Sequence, residues 1–203
     1  MAIINRRQFI LGGLAVAVQA QERLFDAADL SGWQSFGAGV WTAEASEVVG
    51  RGSKNATGPG YLFTRTTFQD FRLAMRFSIS TGGRSGIYLR EPVRKWSTEG
   101  DNRPGCGPGG GYEVCIAYQD RDNPTGTISN LQKSRKLAGS EETWNELQIV
   151  CRGTEIRISI SGQIVNRFNK LRAQPGVIGF GVPGGVPEDF IVRFRDIVIS
   201  SVA

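Results

Sequence analysis

A period-two alternation of apolar and polar residues runs through much of this chain, and it leaves few folds open. Phe71, Leu73, Met75, Phe77 and Ile79 alternate with Arg72, Ala74, Arg76 and Ser78. Ile156, Ile158 and Ile160 alternate with Glu155, Arg157 and Ser159. Successive side chains of a strand point to opposite faces, so each segment predicts one face on a core and one outward. Shorter strands are expected at Val40–Thr42, Tyr61–Thr64, Gly86–Arg90, Tyr112–Tyr118, Trp144–Arg152, Ile164–Arg167, Val177–Val182 and Phe190–Ile199. Thr81-Gly82-Gly83, Arg152-Gly153, Ser161-Gly162 and Pro175-Gly176 supply turns, and Glu155 to Arg167 reads as a hairpin about Gly162-Gln163. No stretch carries a helical period of useful length. Many short strands with Gly turns specify an all-β sandwich or barrel. The segment Glu91–Gly111, rich in Pro, Gly and charge, is expected to be a long loop.

The 203 residues suit one domain, and no linker or internal repeat divides them. Apolar residues make up 40% and charged residues 21%, enough to bury a core without a metal or disulfide staple. The chain contains no His. That removes the commonest acid–base residue and the commonest transition-metal ligand. Catalysis would fall to carboxylates, Lys, Arg, Tyr, Ser or Cys. No cofactor is expected, with room left for a divalent ion held by oxygens alone. The formal net charge of +5 includes Arg6 and Arg7, and the remaining Lys and Arg are scattered among Asp and Glu. A phosphate binder needs a clustered basic face, so nucleic acid is not expected as a partner.

The N-terminus reads as an export signal. Met1 to Arg7 is basic, Phe9 to Val18 is apolar, and Val18-Gln19-Ala20 ends on a small residue. The apolar run is too short to span a bilayer core of about 30 Å as a helix. Asn5-Arg6-Arg7-Gln8-Phe9-Ile10 resembles the twin-arginine signal. Cleavage after Ala20 would start a periplasmic or extracellular domain at Gln21, covering 21–203. Export permits a disulfide, and Cys106 and Cys115 flank a Gly-rich loop; the plainer reading makes Cys115 and Cys151 small strand residues.

The order of several short motifs is similar to that of a known family. Leu24-Phe25-Asp26 and Asp29-Leu30-Ser31-Gly32-Trp33 resemble its opening. Asp70-Phe71-Arg72-Leu73 with Arg76-Phe77, then Ser85-Gly86-Ile87-Tyr88-Leu89-Arg90 and Gly111-Tyr112-Glu113-Val114, resemble its central strands. Thr125-Gly126, Trp144-Asn145 and Phe194-Arg195-Asp196-Ile197 follow in order. The family is the 3-keto-disaccharide hydrolase domain. The resemblance implies a concanavalin-like or laminin-G-like jelly roll of two antiparallel sheets. It also implies action on glycosides carrying a ketone at sugar carbon 3, a chemistry that needs a base, an enolate stabiliser and an acid. The chain departs from the family pattern at Cys115, where Gln is frequent, at Ser129, where Tyr is frequent, and at Gly184-Gly185, near which a His is frequent.

With the resemblance, Glu113 is the candidate base; on position alone it would be an ordinary outward Glu. Arg90 is the candidate enolate stabiliser, expected to share a face with Tyr88, which could stack on a sugar ring. The alternative for Arg90 is a surface residue covering an aromatic. Trp96, in the long loop, is the better sugar platform, because Trp33, Trp41 and Trp144 lie near strands and read as core. Asp120 is a substrate-binding candidate and Asp122 its neighbour; a capped polar turn over Asp120-Arg121-Asp122-Asn123-Pro124 explains both as well. Gly105–Gly111 lacks the Gly-Lys-Ser/Thr ending of a phosphate loop and is followed by a strand, so it is not a nucleotide motif. Two functions compete: an enzyme on 3-keto-glycosides, and a sugar-binding module with the same fold. A retaining glucanase is excluded, because the strand Glu113-Val114-Cys115-Ile116 lacks the Glu-x-Asp-x-x-Glu pattern.

Overall fold

The computed structural model describes residues 21–26, 28–52, 54–92, 110–185 and 190–202. The export signal, Trp96 and Cys106 lie outside these residues. Among the described residues there are thirteen strands and no helix: β1 (Gln21–Arg23), β2 (Trp33–Gly37), β3 (Val40–Glu44), β4 (Glu47–Arg51), β5 (Gly60–Thr64), β6 (Phe71–Ile79), β7 (Ser85–Glu91), β8 (Tyr112–Ile116), β9 (Asn145–Arg152), β10 (Glu155–Ile160), β11 (Gln163–Phe168), β12 (Val177–Val182) and β13 (Ile191–Ser201). The larger sheet runs β11-β10-β9-β6-β13-β4-β3, with β1 paired on β13; the smaller runs β2-β5-β12-β7-β8. All pairings are antiparallel. No helix of the described residues is long and apolar enough to cross a membrane.

The two sheets close on one core. In β6 the alternation is complete: Phe71, Leu73, Met75, Phe77 and Ile79 are buried, while Arg72 and Arg76 are exposed. Phe180 of β12 stacks on Phe194 of β13, with centroids 4.0 Å apart, and on Trp33 of β2 at 5.3 Å. Truncating such an aromatic costs about 3–5 kcal/mol. Trp33 therefore belongs to the core, and Trp41 packs partly against it. Trp144 instead lies half-buried under the Arg195 guanidinium, 4.0 Å from its ring centre. The β10–β11 hairpin turns on Ser161 and Gly162, both with positive φ, the conformation that matches the twist of adjoining strands. The three strands with no sequence expectation are β1, β2 and β4. Cys115 and Cys151 are buried free thiols, as small strand residues would be; burial pushes each up to about 12, so both stay protonated and inert.

Candidate functional site

The smaller sheet turns Leu62, Ile87, Leu89, Val114, Ile116, Ile178 and Phe180 toward the core. Its outer face is also covered. There Phe63, Tyr88 and Val177 form a second apolar cluster, with Phe36 and Tyr61 against it. Pairing registers arrange this face in two rows. One runs Glu113, Tyr88, Gly179, Phe63 and Gln34; the other runs Cys115, Gly86, Gly181, Tyr61 and Phe36. The glycines occupy the middle because neighbouring side chains lie across them. A Cβ on Gly86 would stand 2.5 Å from a Glu113 oxygen, one on Gly181 2.6 Å from the Tyr88 ring, and one on Gly179 2.2 Å from the Phe63 ring. Glycine in a strand often marks such a close approach. The result is a furrow paved by aromatic rings that lie over the glycines, with Tyr61 edge-on to Tyr88 at 5.3 Å between centroids.

Glu113 borders a cleft of about 130 Å³ that Arg84, Gly86, Tyr88, Gly181 and Pro183 also line. Burial raises the proton affinity of its carboxyl above the ordinary 4.5. The positive charge of Arg84 and hydrogen bonding from the Ser129 and Tyr88 hydroxyls oppose that shift without cancelling it. Ser129 stands beside Glu113 because its N–H donates to the Glu113 carbonyl at 2.9 Å, extending the sheet past β8. Burial pushes the Tyr61 phenol up to about 12, with the Glu113 and Glu91 carboxylates adding to the shift. Tyr88 is likewise raised well above the ordinary phenol value, by burial first and then by Glu113. Both phenols therefore hold their protons at neutral pH and stand as donors beside a carboxylate. That combination can remove a proton from a carbon acid and donate to the oxyanion that results.

One expectation is corrected. Arg90 does not share the face of Tyr88. Between β7 and β12 the register slips: Tyr88 faces Gly179 and Glu91 faces Val177, so Leu89 and Arg90 together oppose Ile178. This is a β-bulge, and Arg90 adopts a φ of 51° within it. The extra residue turns Arg90 away and returns Glu91 to the outer face. The Arg90 side chain is fully buried. It donates to the carbonyls of Gln69 (2.8 Å), Gly153 (2.7 Å) and Arg172 (2.9 Å) and to the Asp70 carboxylate (2.9 Å). It clamps three loops at one end of the sandwich, away from Glu113.

Asp120 sits in the capped turn: one oxygen accepts from the Asp122 and Asn123 N–H groups at 2.8 and 2.9 Å, and the other from Arg84 at 3.3 Å. Its link to the cleft is therefore through Arg84. Sequence reasoning missed Tyr61, Arg84, Ser129 and Glu91. Glu91 is fully buried and accepts from the Gly111 N–H at 3.0 Å. The usable signal was the Gly179-Phe180-Gly181 pattern: glycines two apart on one face of an apolar strand mean that something lies across that face. Among the described residues, no group of three or more His, Cys, Asp or Glu stands close enough to hold a metal ion.

The two-sheet antiparallel sandwich is a jelly-roll-like fold shared with several solved structures. Solved structures of this shape include a Parabacteroides distasonis protein provisionally named a glycosyl hydrolase, with a TM-score of 0.69 at 16% identity, covering 90% of this chain and 94% of that one. They also include the carbohydrate-binding module CBM66 of Bacillus subtilis, with a TM-score of 0.59 at 15% identity, covering 84% and 96%. A Bacillus subtilis protein with a galectin-like fold reaches 0.62 at 13% identity, covering 90% and 94%. At these identities the likeness is one of fold. No curated protein matches the chain. Residues 20–200 match the family described as the 3-keto-alpha-glucoside-1,2-lyase-like domain, and the chain belongs to that family.

Proposed function

We propose that the protein is an exported enzyme that cleaves 3-keto-glycosides by elimination followed by hydration, with Glu113 as its base. The ketone at carbon 3 acidifies the hydrogen on carbon 2. The Glu113 carboxylate takes that proton, and the electron pair moves to the carbon 3 oxygen as an enolate. Tyr88, next to Glu113 in the furrow, is the donor best placed to stabilise that oxygen, with Tyr61 behind it. The enolate then collapses, the carbon 1–oxygen bond breaks, and the departing oxygen takes a proton from one of the phenols or from water. Water adds at carbon 1, a proton returns to carbon 2, and the net change is hydrolysis. Arg84 contributes positive charge at the mouth of the cleft, tethered by Asp120.

The observation that carries this reading is the recessed Glu113 carboxyl, its proton affinity raised, beside two protonated phenols. A carboxylate in such a setting is a stronger base than one in water, and the site uses no His. Export rests on the basic and apolar N-terminal sequence ending at Ala20. A second reading, a non-catalytic sugar-binding domain, draws on the aromatic face of Phe36, Tyr61, Phe63 and Tyr88, against which a sugar ring could pack.

The test is release of an aglycone from a 3-keto-glucoside and from the unoxidised glucoside, by the protein from Gln21 onward and by Glu113→Gln. Cleavage of the keto substrate alone, lost in the variant, supports the enzyme. Saturable binding of either glycoside with no release by the wild type would replace it with the sugar-binding reading.

A further inference from the structure

The Lys and Arg residues are scattered in sequence, but the fold gathers five of them. A groove of about 640 Å³ opens on the β9–β10–β11 side of the larger sheet, on the sheet that does not carry Glu113. Arg135, Arg152, Arg157, Arg167 and Lys170 line it, with Glu155 as the acidic residue among them. Among the described residues, none of the five cations has a carboxylate within ion-pair distance. The arrangement is costly to the free protein. Arg157 of β10 and Arg167 of β11 are direct partners in the antiparallel register, and like charges opposite one another destabilise a sheet. Elsewhere on the same sheet several Arg residues are matched: Arg51 with Glu44, Arg76 with Glu146, and Arg193 with Glu47.

We propose that this groove is a second binding site, taking an acidic polysaccharide through its carboxylate or sulfate groups. Neighbouring strands lie about 5 Å apart, so the paired positions Arg157 and Arg167 present their side chains next to each other. Each guanidinium can grip a planar anionic group through two parallel N–H bonds. A groove open along the sheet edge accommodates a chain rather than a single ion. Phe168 is the aromatic residue of the lining, and it packs against the core. Single-stranded nucleic acid relies on a succession of aromatic platforms for its bases, and this groove offers one half-buried ring, which favours a glycan over a nucleic acid. The site depends on neither Glu113 nor the proposed elimination. It would hold the protein on an acidic envelope or extracellular polymer while the furrow stays free.

The test uses polygalacturonate, dextran sulfate, neutral dextran and single-stranded DNA as probes, against wild type and the double variant Arg157→Gln/Arg167→Gln. Both positions lie on the outer side of their strands, so the variant should fold, and relief of like-charge repulsion should raise its Tm in low salt. The expected result is binding of at least one acidic polysaccharide, none of neutral dextran, and weakening of at least tenfold in the double variant and again in high salt. Binding of only one of the two acidic polymers assigns the anionic group as carboxylate or sulfate. The acidic polymer should also raise the Tm of the wild type more than that of the variant. Failure of both acidic polymers to bind at low salt overturns the proposal, as does equal binding by the variant. Tighter binding of DNA through the same two residues would reassign the groove to nucleic acid.

Discussion

The two outer faces of this sandwich are built from the same kind of strand, yet they have opposite characters. On the larger sheet, β6 alternates strictly between buried and open positions, and its Arg76 pairs with Glu146 on the next strand. On the smaller sheet, β7 and β12 are buried at every position. Alternation fails there because the outer face has its own cover: Tyr88 and Phe63 lie flat over glycines, and Glu113 lies over Gly86. The first face is ordinary solvated sheet. The second removes a carboxylate and two phenols from water, which destabilises the charged carboxylate and prepares it to take a proton. A face that departs from the simplest strand pattern is where function is expected, and four experiments set the two faces against each other.

The largest effect belongs to Glu113→Gln. A lost general base typically costs about 10²–10⁴ in rate, and that fall is expected in kcat on a 3-keto-glucoside. The same variant should be more stable than wild type at neutral pH. The folded protein holds the Glu113 proton more tightly than the unfolded chain, whose carboxyl keeps the ordinary 4.5. Between those two values the folded state binds more protons, so this group's contribution to stability falls as pH rises through that window, and the penalty persists above it. Denaturant melts of both forms at pH 4 and pH 8 check this. A gap that does not widen toward pH 8 would mean that the carboxylate is comfortably solvated, and the contrast between the faces would fail.

Next comes Arg90→Met, with an expected loss of about 3–5 kcal/mol, because the three loop carbonyls and the Asp70 carboxylate lose a shared partner. The turnover of the molecules that remain folded should hold. Collapse of kcat with an unchanged Tm would return Arg90 to the chemistry. Below that stands Gly181→Ala. Its Cβ would meet the Tyr88 ring, and such overpacking costs about 1–3 kcal/mol. Displacing Tyr88 should also lower kcat/KM. Gly32→Ala, whose Cβ would meet open space, is the control and should change neither.

The legible part of the molecule was its alternation. It fixed β6 and β10 and, with the turn signals, the all-β sandwich, because buried-versus-open periodicity is the signal that a half-exposed strand writes into sequence. Glu113 and Tyr88 were each legible as candidates, but their pairing was not, since only the register of β7 on β8 brings them together. The parity of β7 was not. A single bulge residue moves every later side chain to the other face, and nothing in Ile87-Tyr88-Leu89-Arg90-Glu91 announces it. That is why Arg90 was expected at the site and Glu91 was not. Tyr61 and Arg84 were hidden differently. They lie 27 and 4 residues before Tyr88, on another strand and in a turn, and only the pairing of β5 with β12 and β12 with β7 assembles them.

The smallest effect tests the plainer face. Arg76 and Glu146 are cross-strand partners 3.2 Å apart, both well exposed. An exposed pair gains little from its Coulomb attraction, since water and salt screen it and two long side chains must be held still. Glu146→Ala should therefore cost no more than about 1 kcal/mol in low salt. Most of that should vanish at high ionic strength, because screening already removes the attraction there. A loss comparable to that of Gly181→Ala, persisting in high salt, would show that the larger sheet's outer face is also a packed surface. The burial that sets Glu113 apart would then lose its claim to mark the site.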